Sequence, residues 1–487
     1  MSPISRRSFL RAGTSVLAVS AMPVVRAART TWPTTKGEAG LAVQPTRLDV
    51  PPGDVTRYGA RGDGVADDSQ AVQRAFDAAA LDGSVHFPAG KFRCLAIQVH
   101  GGTSISCDAR ARVIKHGGAP YSHVFECSSR LERSWDLART AEQGADRIEL
   151  RTVEGLATGT IVVIGEQRYA VEHYGRNQEL NEVVGIAGTT AILRRPLVSS
   201  YADRAQLSSI AKPARAIKFE GMAIEIPDGV PGGGLYFDYG YECEVTDCVI
   251  EGPHDQAGIC FWRSAWCTVT RGRVQGGRER ERPGYGYGVA IANSSHNVIA
   301  REVHTVGVRE NAMSLGSRLC RFEACVDEGA YDSSFNTHAD GNVDCLVQGC
   351  SSVGSRGYGV VLGFEGSRAA EYRCVARNNR ISDCGLEGIY CGADAERINQ
   401  SPVIEGNSVV RPSGRISGRD GIRVVRARSP TVRDNRIELG GPVRAAIAIE
   451  QCGDAVVERN RVTGRAPGTL VLRDKSSSGK FDANTFE

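Results

Sequence analysis

Residues 421–435 read GIRVVRARSPTVRDN, and residues 446–460 read AIAIEQCGDAVVERN, the same phrase 25 positions on. Each begins on a small residue and continues with alternating apolar positions, Ile422/Val424 and Ile447/Ile449. A second apolar position follows at Val432 or Val457, and an asparagine stands three residues beyond it. Alternation with a period of two marks a half-buried strand. The same phase is read upstream at Gly234, Gly258, Gly288, Ala312, Thr337, Gly359 and Gly388, and downstream at Thr469, with spacings of 22 to 33 residues. A unit of this length with strands and no helix pattern cannot bury its apolar face alone. It must stack on the next, which predicts a parallel β-solenoid. The leucine framework of leucine-rich repeats is absent. The wider spacings place inserted loops at corners, in GGRERERPGYGY (276–287) and GADAERINQSP (392–402).

Composition agrees. The 487 residues include 57 glycines and only 6% aromatics, which suits many short strands and turns. The chain opens SRRSFLRAG and runs through TSVLAVSAM to VVRAA, the basic, apolar and small-residue parts of an export signal. Arg6 and Arg7 before Phe9 and Leu10 resemble a twin-arginine signal, whose passengers cross the membrane folded. The apolar run is too short and too rich in Ala, Ser and Thr to span a bilayer well, so cleavage near Ala27 is expected. Losing residues 1–27 removes four arginines and no acid, taking the net charge from +3 to −1. With no concentrated basic block, nucleic acid is not an expected partner, and no membrane contact is expected after cleavage.

Fifteen cysteines in an exported protein usually mean a disulfide framework. Here the number is odd, and Cys243/Cys248, Cys320/Cys325 and Cys345/Cys350 all stand five apart. That spacing stacks cysteines as small buried hydrophobes, rung on rung. Folding in a reducing cytosol favours free thiols, although the ~4.8 Å spacing of strands also lies within disulfide reach.

Upstream, VTRYGARGDGVADDSQAVQRAFDAAALDGSVHFPAGKFRC (55–94) joins a Gly/Asp turn to a helix over 68–80, which Asp67 or Asp68 caps. Val72, Ala75, Phe76 and Ala79 share one face of it. YGARGDGVADDSQAVQRA with VHFPAGKF resembles the opening of the pectate-lyase superfamily of right-handed β-helices, which includes polygalacturonase-like enzymes and many phage tailspikes. The resemblance implies an all-β, right-handed parallel β-helix closed at its N-terminal end by this helix. Residues 138–212 interrupt the repeats with alternating segments around Gly turns and read as a small antiparallel β insertion. The expected division is a signal over 1–27, a linker over 28–50, cap and first rungs over 51–137, the insertion over 138–212 and the main β-helix over 213–487.

The sequence carries no P-loop, dinucleotide fingerprint, zinc spacing or nucleophile elbow. Candidate chemistry must come from polar residues on neighbouring turns. Arg309, Glu310, Asn311, Asn336, His338, Asp340, Arg356 and Tyr358 are expected within about three rungs of one another, with Glu387 and Asp420 farther along. The alternative is an ordinary solvated solenoid edge. His338 and Asp340, in NTHADGN (336–342), fall by simple alternation on inward positions, where both would be costly to bury uncompensated. Either they pair inside, or a bulge before Gly341 turns them to the groove; the bulge is preferred.

NTHADG is similar to segments of several β-helix proteins and, more loosely, to the Asp-Pro-His-Asp motif of mannuronan C5-epimerases, in which the His abstracts a sugar proton. It departs from that motif at Thr337 and Ala339. GPHDQ (252–256) is a closer literal echo, but His254 lies about three rungs from His338, ~14 Å. The polygalacturonase residue set is absent.

The expected activity is lyase or related C5-proton-abstracting chemistry on an acidic, uronate-containing polysaccharide. His338 is the expected base, oriented by Asp340. Arg356 and Arg309 would hold the carboxylate, and Tyr358 would protonate the leaving oxygen. Glu310, Asn311, Asn336, Glu387 and Asp420 are expected to line the substrate. One alternative is a glycoside hydrolase using two of the carboxyls Glu310, Asp340, Glu365, Glu387 and Asp420. The other is a non-catalytic carbohydrate-binding protein, for which Tyr285, Tyr287, Tyr358 and Tyr390 would be platforms. No cofactor motif is present; calcium is a candidate through Asp332, Asp340 and Asp344.

Overall fold

The structure is a computed structural model, described for residues 32–39, 44–119, 121–166, 177–278, 285–338, 341–364, 369–412, 419–441, 443–465 and 468–487. The signal segment over 1–27 lies outside the described residues, as do Asp340 and Glu365. Three long parallel sheets of 14, 13 and 12 strands wind around one apolar core, each successive turn of the chain adding a strand to each sheet. The 12-stranded sheet carries the phase residues of the repeat, and we call it the groove sheet. Among the described residues, no helix is long and apolar enough to cross a membrane.

The quoted repeat is borne out in register: Ile422 pairs with Ile447 and Val424 with Ile449. The central rungs, however, are phased differently from the sequence reading. Ala290 pairs with Ala312, so Glu310 rather than Ala312 stands opposite Gly288. Phe335 pairs with Val360, so Ser334 rather than Thr337 stands opposite Gly359. In the last rung Ala445 pairs with Thr469, one residue from the expected alignment. The central slip has a physical cause, because these two rungs place polar residues inward where others place apolar ones. Asn311 is buried and its amide donates to Thr305 Oγ1 at 2.8 Å. Thr337 is buried and donates to Glu371 Oε2 at 2.7 Å. The apolar alternation that marks a strand is interrupted there.

Sharp corners separate the sheets, and many turn on one residue in the left-handed region, as at Asp247, Arg271, Glu302, Ala324, Asn378, Asp434 and Arg459. The residue after this turn points inward and stacks rung on rung. In the C-terminal rungs it is asparagine: the Asn379, Asn407 and Asn435 amides each donate to the next side-chain oxygen at 2.9 Å, and Asn460 to Asn484 at 2.8 Å. Each such oxygen also accepts a backbone N–H, as Asn435 Oδ1 does from Asn407 at 2.9 Å, so buried corner groups are satisfied. In earlier rungs Cys248, Cys325 and Cys350 hold this position. All 15 cysteines are free thiols, and all but Cys107 are buried.

The capping helix runs Ser69–Asp82. Asp67 accepts the Ser69 N–H at 2.9 Å, whereas Asp68 reaches back to the N–H groups of Arg61 and Gly62. Phe76 of the helix packs on Phe125, 5.8 Å between centroids, and Phe125, Phe219, Phe237 and Phe261 continue as a ring stack down the core. The antiparallel insertion is a six-stranded sheet that starts at Arg130–Asp136, ahead of the expected 138, and ends at Gln206–Ala211. It docks on the corner that follows the groove sheet. Arg195 lies over the Trp266 ring at 3.9 Å, the Leu180 N–H donates to His296 Nε2 at 3.1 Å, and Arg318 donates to Asn177 at 2.9 Å.

Two carboxyls are sealed inside the solenoid. Burial pushes Asp327 up to about 7, against hydrogen bonds from Thr305 and Ser334. Burial likewise pushes Glu371 up to about 7, against hydrogen bonds from Thr337 and Asn342. Both folded values lie above the ~4 of an unfolded carboxyl, so between these limits the folded state binds more protons. Their stabilisation is full below pH ~4 and is lost as pH rises through 7. The expected result is a lower melting temperature at pH 8 than at pH 5.5, with the difference reduced in the double variant Asp327→Asn, Glu371→Gln. Equal pH dependence in the two proteins would remove this account.

Candidate active site on the groove sheet

With the register corrected, the residues one place before the phase position form a column of Tyr287, Arg309, Ser333, Tyr358, Glu387 and Asp420. Neighbours in it are one strand spacing apart, ~4.8 Å. Asn311 and Asn336, expected in this column, are not in it: Asn311 turns into the core, while Asn336 faces outward one step along its strand.

Glu310 is the centre of the first cluster. Its side chain is wholly buried, and Oε2 accepts from the Asn336 amide at 2.8 Å. Among the described residues Oε1 has no hydrogen-bond partner, and Arg309 Nε stands 3.6 Å from it. Arg309 Nε also donates to Asp332 Oδ2 at 3.2 Å, and Nη2 to the same oxygen at 3.0 Å. Glu310 Oε1 and Asp332 Oδ2 are therefore within 3.2 plus 3.6 Å, that is 6.8 Å, of each other. Arg309 lies 5.4 Å over the Tyr287 ring. Burial raises the Glu310 carboxyl, opposed by the charges of His338 and Arg309. Asp332, by contrast, is 44% exposed. Besides Glu310 Oε1, Arg309 Nη1 and Asn336 Oδ1 are buried without a partner, so a donor and two acceptors remain open in one spot.

His338 is half-buried and pairs in register with Ser314, while Thr337 before it takes the inward position. Ordinary alternation on the corrected register turns the ring outward, and the bulge invoked from sequence is not needed. Its expected partner Asp340 lies outside the described residues. Arg356 is exposed, two residues before Tyr358. His254 is buried with both ring nitrogens on backbone carbonyls, those of Gly252 and Tyr287, a structural role.

A second cluster lies farther along the column. Glu387 is wholly buried and raised by burial, opposed by its own backbone N–H, and among the described residues no other residue donates a hydrogen bond to either of its oxygens. Arg419 Nη1 stands 3.7 Å away, outside hydrogen-bond range. Asp420 accepts from Arg444 Nε at 3.0 Å and from the Ala445 N–H at 3.1 Å. Arg423 and Arg444 also clasp Glu450 at 2.8 and 2.6 Å. The Tyr358 and Tyr390 rings lie 5.0 Å apart at 30°, with Phe364 6.2 Å beyond Tyr390. Burial and the Glu387 charge raise the Tyr358 hydroxyl, which stays protonated at neutral pH.

Of the calcium candidates, Asp340 lies outside the described residues and the other two are otherwise engaged. Asp332 serves Arg309, and Asp344 pairs with Arg373 through contacts of 2.7 and 2.6 Å. Among the described residues no group of three or more His, Cys, Asp or Glu side chains is placed to hold a metal ion. The sequence reading missed Asp332 as a site carboxylate and Arg444 as the partner of Asp420. Asp332 becomes legible once Ser334 is taken as the phase residue, two positions later.

Comparison with known proteins adds the following. Residues 370–487 match a family model described as right handed beta helix region, and residues 54–117 match one described as rhamnogalacturonase A/epimerase, pectate lyase-like. The tailspike protein gp49 from Pseudomonas phage LKA1 superposes with a TM-score of 0.58 at 15% identity, covering 89% of this chain and 84% of that one. PfbA, a surface adhesin of Streptococcus pneumoniae, gives 0.55 at 14% identity over 85% of this chain and 91% of its own. The phi297 tailspike gp61, also from a Pseudomonas phage, gives 0.51 at 15% identity over 86% and 80%. The fold is a right-handed parallel β-helix. A search of curated proteins finds no match. At these identities the solved structures establish the fold and nothing about chemistry.

Proposed function

We propose that this right-handed β-helix acts on a polysaccharide laid along the groove sheet and cleaves it by acid/base hydrolysis, with Glu310 as proton donor. The observation that carries the reading is the Glu310–Arg309–Asp332 arrangement. One carboxyl is buried and raised and the other is half-exposed and ion-paired, within 6.8 Å by way of a shared Arg309 Nε. Paired carboxyls in contrasting environments divide acid and base roles between them, and separations of ~5 to 5.5 Å or ~6.5 to 9.5 Å serve retaining or inverting glycoside hydrolysis. Glu310 gives its proton to the glycosidic oxygen as the C–O bond breaks. Asp332 takes a proton from the attacking water, or attacks the sugar carbon itself and is later released by water. The open donor and acceptors of Arg309, Glu310 and Asn336 suit sugar hydroxyls, which both donate and accept.

This favours hydrolysis over the proton abstraction expected from sequence. Removing a uronate C5 proton requires positive charge beside the substrate carboxylate; Arg309 is already balanced by Asp332, which leaves that task to the exposed Arg356 alone of the two arginines expected to share it. We further propose that the protein works after export by the twin-arginine route, in the periplasm or beyond, a reading supported by its uniformly unpaired thiols. Binding without turnover is a second reading, favoured by the Tyr358–Tyr390 pair.

One assay separates these readings. Incubated with neutral and uronate-containing polymers, the protein is expected to release new reducing ends without the ultraviolet absorbance of an unsaturated uronate. Appearance of that absorbance would restore the lyase reading, and polymer retention without cleavage would favour binding. Within the hydrolytic reading, His338→Ala is expected to keep turnover within about tenfold, whereas the loss of a general base costs about 10²- to 10⁴-fold.

A further inference from the structure

Glu387 is buried and, among the described residues, no other residue donates a hydrogen bond to either carboxyl oxygen, a costly arrangement that a bound ligand would relieve. What surrounds it narrows the ligand. Among the described residues Arg444 and Arg423 are taken by Asp420 and Glu450, and the remaining cation, Arg419, faces Glu387 itself at 3.7 Å, whose charge would repel a uronate carboxylate. Arg419 and Arg423 already supply positive charge near Glu387, which disfavours an ammonium group. Two acceptor oxygens beside a pair of aromatic rings fit a group with two hydroxyl donors and an apolar face.

We propose that Glu387 and Tyr358 form a subsite for an uncharged sugar ring, in which adjacent hydroxyls donate to the two Glu387 oxygens and a ring face lies on the half-buried Tyr358, which the buried Tyr390 backs from within. Arg419, 36% exposed and 3.7 Å from Glu387, is the side chain that moves aside as the sugar enters. The subsite lies three rungs from Glu310, ~14 Å along the solenoid axis. A polymer running along the axis would occupy both. The proposal rests on the groove being a polysaccharide site, and it adds that the unit held beyond the cleavage point carries no charge.

Affinity electrophoresis of the whole protein tests this, in gels containing galactomannan or dextran as neutral probes, polygalacturonate or alginate as anionic probes, and glycol chitosan as the cationic probe. Wild type is expected to be retarded by a neutral gel. Glu387→Ala is expected to weaken that retardation at least tenfold while keeping the wild-type melting temperature. Should Glu387→Ala fail to fold, Glu387→Gln is read in its place, with the same loss expected because an amide has one acceptor oxygen instead of two. Retardation by the charged polymers alone, by no polymer, or equally in wild type and the folded Glu387 variant would overturn the subsite. Glu310→Gln distinguishes the two proposals. Retardation that persists where no polymer is cleaved leaves the subsite standing without the hydrolase, and cleavage without Glu387-dependent retardation does the reverse.

Discussion

Replacing Glu310 by glutamine is expected to lower turnover about 10²- to 10⁴-fold, the usual cost of removing a general acid or base, while leaving the melting temperature within a few degrees. Glutamine keeps the shape of the side chain and an oxygen for the Asn336 amide, which donates to Glu310 at 2.8 Å. It cannot supply the proton. The pH profile of the wild type carries a second signature. Burial raises the Glu310 carboxyl, so its proton is present at low pH and is lost as pH passes the raised value; the alkaline limb of activity should report that loss. Asp332→Asn should lower turnover by a comparable factor. If Glu310→Gln keeps wild-type turnover, proton donation passes to Glu387, the other buried and raised carboxyl of the column.

The second large effect lies in the core. Phe125 is wholly buried and touches Phe76 of the capping helix, Phe87 and Phe219, with centroids 5.8, 6.2 and 5.4 Å away. Truncation to alanine should cost about 3 to 5 kcal/mol, because it removes transfer energy and leaves a cavity between the helix and the first rungs. Chemical unfolding should show this as a lower midpoint. Phe335→Ala, deep among the central rungs against Phe322, offers a comparison away from the cap. A loss below 1 kcal/mol for Phe125→Ala would mean that the helix is not held by this contact.

Much of the architecture was legible because the solenoid repeats its instructions. Gly421 and Ala446 announce successive rungs, and Asn435 and Asn460 mark the corner that follows. The cysteine spacing announced stacked thiols for the same reason. The site was less legible because it is where the pattern breaks. Asn311 and Thr337 occupy inward positions as polar residues and slipped the reading by two or three places. That slip hid Asp332, put Asn311 on the wrong face and made His338 seem to need a bulge. Glu371, which supports Thr337 and Asn342 from within, carried no signal at all: it lies 34 residues from Thr337 in the chain, and only the coil brings them together.

The uneven rung lengths have a last consequence. Extra chain enters at 276–287, just ahead of a groove-sheet strand, and at 392–402, just after another, while the strands on either side stay in register. Both edges of the groove are therefore places where length can change without disturbing the backbone that holds the acids. Under the proposed function, divergence or a designer can rewrite which glycan is admitted by exchanging these border segments and leave the proposed reacting groups untouched.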